Sequence, residues 1–121
     1  MAKIFIVDDS ATELHVLAKI LQQAGHQALT AADGEAGIAA AKSQAPDAIL
    51  MDVVMPGING FQATRKLSRD PKTRHIPVLM VTTKDQETDK IWGMRQGAVE
   101  YLVKPVDAKQ LVAKINAVMA G

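Results

Sequence analysis

Cysteine is absent from this sequence, which excludes disulfides and thiolate metal sites and fits a reducing cytoplasm. Aromatic residues are nearly missing too: one Trp, one Tyr and two Phe in 121 residues. Any core must therefore be built from Ala, Val, Ile, Leu and Met. Neither sign of charge dominates, since 14 basic residues face 13 acidic ones for a net charge of +1. No basic run stands out, so composition makes no electrostatic case for a nucleic-acid partner. Long apolar stretches are lacking as well. Met1-Ala2-Lys3 leads into only four apolar residues, too few for a signal-peptide core or a membrane span. The expectation is a soluble, cytoplasmic chain with no membrane insertion.

What is present is regular. Hydrophobic residues make up 48%, ordinary for a globular protein and too many for a disordered one. Five apolar runs alternate with five helical patterns, with no linker, repeat or low-complexity segment between them. Residues 3–7 read as a strand. Ser10 and Glu13 read as a capping box opening a helix with Leu14, Leu17, Ala18 and Leu21 on one face, ending at Gly25. A weak strand over 27–31 leads to an Ala-rich helix from Asp33 to Gln44, stopped by Pro46. Strand 48–52, a Pro/Gly/Asn loop and a helix from Asn59 to Arg69 follow. Pro77 opens strand 78–82, Asp85 is placed to cap a helix ending at Gly97, and strand 99–103 precedes a helix capped by Asp107 and supported by Gln110. Continuously apolar strands separated by helices predict a parallel sheet covered on both faces. Right-handed crossovers then give a doubly wound (βα)5 α/β sandwich, with residues 1–121 as a single domain.

Charged residues sit at matching strand ends. Asp8 and Asp9 close the first apolar run, Asp52 closes the third just before Met55-Pro56-Gly57, and Lys104-Pro105 closes the fifth. Thr82 closes the fourth and offers a hydroxyl to the same edge. In an open α/β sheet the carboxyl ends of the strands are where ligands bind. Three carboxylates brought together repel, and a hard divalent cation with oxygen ligands is the simplest compensation. The acids, the amine and the hydroxyl in register describe a magnesium and phosphate site. Any one of them alone would read as a helix cap or a solvated loop residue. His15, His26 and His75 are scattered and unlike a metal triad, and Met51 and Met80 lie in strands as core residues.

Asp8-Asp9, Asp52 with Met-Pro-Gly after it, Thr82, Tyr101 and Lys104-Pro105 together resemble the receiver domain of two-component response regulators, in order and across the whole chain. The resemblance implies the flavodoxin-like strand order 2-1-3-4-5. It implies that Asp52 accepts a phosphoryl group from a histidine kinase, with Thr82 and Lys104 assisting. Asp9, Asp52 and the backbone carbonyl of Val54 would ligate Mg2+ directly, with Asp8 acting through water. Thr82 and Tyr101 would form the switch. Thr83 is bulkier than the alanine or glycine common beside the switch threonine and is expected to hinder the inward position of the ring. The family docks partners on its fourth helix and fifth strand, which here carry Ile91, Trp92, Met94 and Tyr101.

With no residues left for an output domain, the chain reads as a stand-alone, monomeric receiver. It is a phosphoacceptor rather than an enzyme, signalling through an unidentified protein target or serving as a phosphate sink. Asn59–Arg65 and Val81–Gly93 resemble regulators of the chemosensory system that controls type IV pili, which implies a chemosensory, CheA-like kinase. A regulator acting on a flagellar motor switch is the alternative. Two other classes fit less well. An aspartyl-phosphate phosphatase usually carries a second acid two residues after its nucleophile, where this chain has Val54. A flavin carrier needs an uncharged phosphate loop where this chain has Asp8-Asp9-Ser10.

Overall fold

A computed structural model describes residues 2–120. The strands are β1 Lys3–Val7, β2 Gln27–Ala31, β3 Ala48–Met51, β4 Val78–Thr82 and β5 Glu100–Val103. The helices are α1 Ala11–Gln23, α2 Gly34–Gln44, α3 Gly60–Arg69, α4 Glu87–Gln96 and α5 Ala108–Ala120. All neighbouring strands pair in parallel in the order β2-β1-β3-β4-β5. This is the doubly wound flavodoxin-like sandwich that the sequence predicts.

Alternation along the central strands divides the core in two. Ile4 and Ile6 of β1 and Ala48 and Leu50 of β3 face Leu17 and Leu21 of α1 and Leu111 and Ile115 of α5. Phe5, Val7, Ile49 and Met51 point the other way, onto Ala41 of α2 and Ala63 and Leu67 of α3. Because both faces are covered, every residue of β3 and β4 is buried, which is why those strands read as unbroken apolar runs. Met51 and Met80 are core residues, both at 0% exposure.

Local signals set the helix starts, with two corrections. Asn59 and Gln62 form a reciprocal capping box at α3, and Asp33 caps α2 through the Ala36 N–H. At α1 the predicted box is only half made. The Ser10 hydroxyl accepts from the Glu13 N–H, but the Ser10 N–H donates to Asp8, leaving the Glu13 carboxylate free. At α4 the cap is Gln86 rather than Asp85. Its N–H donates to Asp89 three residues on, a return bond that Asp85 would have needed Thr88 to supply.

Gly60 fixes the loop between β3 and α3. Its N–H donates to the Val53 carbonyl at 2.9 Å, and a Cβ there would lie 1.9 Å from the Asp52 carbonyl oxygen. That neighbour is backbone and cannot swing aside. Gly60→Ala should therefore cost at least the roughly 1–3 kcal/mol typical of overpacking, read as a lower urea midpoint. An unchanged midpoint would mean that helix and strand end can separate freely.

Candidate functional site

β1, β3, β4 and β5 end on one edge of the sheet, and parallel pairing brings their terminal residues together. Asp8 follows Val7 and donates its N–H to Ala31 of β2. Asp52 follows Met51 and donates its N–H to Val7 of β1. Asp8 is 1% exposed and Asp52 8%, whereas Asp9 lies at the surface. Carboxylate oxygens of Asp8, Asp9 and Asp52 all lie within 4.8 Å of one another.

Among the described residues one cation answers these acids. The Lys104 ammonium is 2.6 Å from Asp8 Oδ2, 3.5 Å from Asp52 Oδ2 and 3.9 Å from Glu13 Oε2. Burial alone would make that amine easier to deprotonate, but the hydrogen bond to Asp8 and the charges of Asp52, Asp8 and Glu13 hold its pKa above the ordinary value. The remaining oxygens are partly satisfied by backbone. Asp52 Oδ1 accepts from the Val53 N–H at 2.7 Å, and Asp8 Oδ1 from the Ser10 N–H at 2.9 Å. Three carboxylates against one ammonium leave an excess of negative charge. Oxygen-only donors this close together suit a hard divalent cation such as Mg2+ better than a soft one.

Next to this cluster, two hydroxyls meet at one peptide. The Thr82 side chain is fully buried, and its Oγ1 accepts from the Lys84 N–H at 3.3 Å. Tyr101 donates its hydroxyl to the Lys84 carbonyl at 2.8 Å. Its ring lies against α4, where a Cβ on Gly93 would come within 3.0 Å of it. Thr83 is exposed. Ile91, Trp92 and Met94 are each about half exposed. Ile91 lies nearly opposite Gly93 on α4, and at 3.6 residues per turn Trp92 and Met94 diverge to either side of it. Val54 is exposed in the loop after Asp52.

Several residues of the site escape a reading of the sequence. Glu13 looks like a capping residue and instead approaches Lys104. Lys84 contributes its backbone, which carries no residue signature. Gly60 and Gly93 act through the side chain they lack. Lys104-Pro105 is a cis peptide.

Fold and site together define a response regulator receiver, and the comparisons agree. Residues 4–116 match the response regulator receiver domain, and the chain belongs to that family. It is 60% identical to protein PilH of Pseudomonas aeruginosa over the full length of both chains. A putative response regulator from Chloroflexus aurantiacus superposes with a TM-score of 0.95 at 33% identity, covering 99% of this chain and 98% of the other. The chemotaxis protein CheY4 of Vibrio cholerae gives 0.91 at 35% identity and 98% of each chain. Among the described residues no helix is long and apolar enough to cross a membrane.

Tyr101 is the sole tyrosine, so tyrosinate absorbance reports it alone. Desolvation first, then the charges of Asp89, Asp52 and Asp85, push its pKa up to about 12. Folding thus favours the protonated phenol. Its contribution to stability is complete below the unfolded value of about 10 and is lost as pH rises from there toward 12. Alkaline titration of the folded protein should give a midpoint near 12. An ordinary phenol midpoint would contradict the packed, hydrogen-bonded ring.

Proposed function

We propose that the chain acts by accepting a phosphoryl group on Asp52 from a histidine kinase. The observation that carries this reading is the convergence of Asp8, Asp9 and Asp52 within 4.8 Å, with the Lys104 ammonium 3.5 Å from Asp52. Only Asp52 combines a strand-end position, burial and a free oxygen facing that cation. An oxygen of Asp52 attacks the phosphorus of a phosphohistidine, the P–N bond breaks and its electron pair returns to the imidazole. Such transfer needs positioning and charge neutralisation more than covalent assistance. Lys104 is placed to pair with the incoming phosphoryl oxygens, and the two backbone bonds to Asp52 and Asp8 hold those carboxylates still. Asp9, Asp52 and the Val54 carbonyl would hold Mg2+, with Asp8 reached through water, and that ion would supply the remaining charge neutralisation.

Phosphorylation is then read through Thr82 and Tyr101. The new group adds negative charge and acceptor oxygens beside a buried hydroxyl, and the Thr82 hydroxyl turns to it at the expense of the Lys84 N–H. Released on that side, the Lys84 loop shifts against Tyr101 and α4, altering the surface around Ile91, Trp92 and Met94 that a target protein would recognise. The chain itself is a phosphoacceptor with no separate substrate. The full-length likeness to PilH supports a place in the chemosensory control of type IV pili, under a chemosensory, CheA-like kinase in the cytoplasm. The likeness to CheY4 favours a flagellar role as the second reading, but at lower identity.

Incubation with acetyl phosphate and Mg2+, or with the chemosensory kinase, should add one phosphoryl mass to the wild type and none to Asp52→Asn. Undiminished labelling of the variant would sink the assignment.

Asp9→Ala removes a proposed direct ligand and one of the mutually repelling charges. Magnesium affinity measured by calorimetry should fall at least about tenfold, while the apo protein should be no less stable. Affinity equal to wild type would rule Asp9 out as a ligand.

A further inference from the structure

A groove of about 1010 Å3 runs between α2 and α3, outside the phosphoacceptor site. Each wall is one helical stripe at i, i+3, i+4 and i+7: Glu35, Ile38, Ala39 and Lys42 on α2, Gln62, Arg65, Lys66 and Arg69 on α3. Two straight stripes of that span give a trough roughly 10 Å long. Ile38, Ala39, Ile58 and Pro71 supply its apolar surface.

Charge on the groove is lopsided. Lys42 is committed to Asp70 at 3.1 Å. Arg65, Lys66 and Arg69 are exposed and have no carboxylate within 4.0 Å among the described residues. Four cations against Glu35 and Asp70 give the groove a surplus of two positive charges, while the whole chain carries only +1. The rest of the molecule is therefore slightly acidic. In the sequence Arg65, Lys66 and Arg69 fall within five residues on α3, and the fold adds Lys42 from α2.

We propose that this groove docks an acidic amphipathic helix of a partner protein, its apolar side on Ile38, Ala39 and Ile58 and its carboxylates on Arg65, Lys66 and Arg69. Two parallel helical walls around an apolar floor are the geometry by which grooves take up amphipathic helices. Nucleic acid suits the groove poorly. No aromatic side chain lines it to stack on a base, and Glu35 and Asp70 stand at its two ends against a continuous polyanion. Asp70 stays ionised there, because the Lys72 N–H and Lys42 hold its carboxyl below the ordinary range. A second copy is also disfavoured. The chain's own acidic stretch with exposed apolar neighbours, at the start of α4, has Asp89 already tied to Lys84 and to the Gln86 N–H.

The test uses the full chain, isotope-labelled, and a synthetic helix of about fifteen residues with leucines on one face and glutamates on the other. Amide shifts should saturate along α2, α3 and Ile58, and a peptide with glutamine for glutamate should bind at least about tenfold more weakly. Arg65→Glu combined with Arg69→Glu should lose the same factor, and the milder Arg65→Gln/Arg69→Gln pair should fall between. All variants should keep acetyl phosphate labelling of Asp52, which separates failure of the groove from failure of the phosphoacceptor assignment. The proposal is overturned by shifts absent from α2 and α3 at millimolar peptide or by equal affinity for the glutamine peptide. It is equally overturned by tighter binding of single-stranded DNA or anionic vesicles, or by concentration-dependent shifts without peptide, which would mean self-association.

Discussion

The salt bridge that ties Lys104 to Asp8 and Asp52 is the contact on which the site depends. A parallel sheet puts the ends of β1, β3 and β5 on one edge, and here it delivers three carboxylates to a space smaller than the Debye length at any ordinary ionic strength. At an effective dielectric near 20, two unit charges about 4 Å apart interact by about 4 kcal/mol. One ammonium cannot cancel three acids at that scale, so the apo site is left electrostatically frustrated. That unbalanced charge is what makes the edge suit a cation, and the buried lysine offsets part of it.

The same lysine links the ends of the sheet to its middle. Lys104 donates its N–H to the Thr82 carbonyl at 2.8 Å, so the residue that faces Asp52 through its side chain holds the end of β4 through its backbone. Thr82 and Tyr101 then grip opposite ends of the Lys84 residue, one accepting from its N–H and the other donating to its carbonyl. These two bonds hold the loop at a single residue. A group that shifts such an element must interact differently with its two arrangements, and these two bonds are the contacts through which a difference would act. The absent Cβ of Gly93 leaves the ring of Tyr101 the room it occupies against α4.

The fold was legible in the sequence because its signals are local. Unbroken apolar runs gave the parallel sheet, Gly and Pro punctuated it, and Asn59, Asp33 and Ser10 marked helix starts. Strand-end placement alone put Asp8, Asp9, Asp52, Thr82 and Lys104 on one edge. What could not be read depends on contacts between distant residues. Glu13 is three positions after a serine, which spells a capping box, but Asp8 takes the Ser10 N–H first and frees the carboxylate toward Lys104. Asp85 has the better capping side chain, yet α4 starts one residue later, where Asp89 can return the bond. Gly60 and Gly93 matter for atoms they do not have, and Lys84 for a backbone any residue would supply.

The loop between β3 and α3 belongs to both surfaces of the molecule. Its first residues follow Asp52 and carry the Val54 carbonyl; its last ones place Ile58 against Gly34, where a Cβ would lie 2.8 Å from the Ile58 side chain. Gly60 ties the far end back to the Val53 carbonyl at 2.9 Å, so the segment is held at both ends. Any coupling carried by this stretch would be reciprocal by necessity: what the groove did to affinity at the acidic cluster, the cluster would do to affinity at the groove. The two surfaces are therefore separate in chemistry and meet in one short stretch of chain between Asp52 and Gly60.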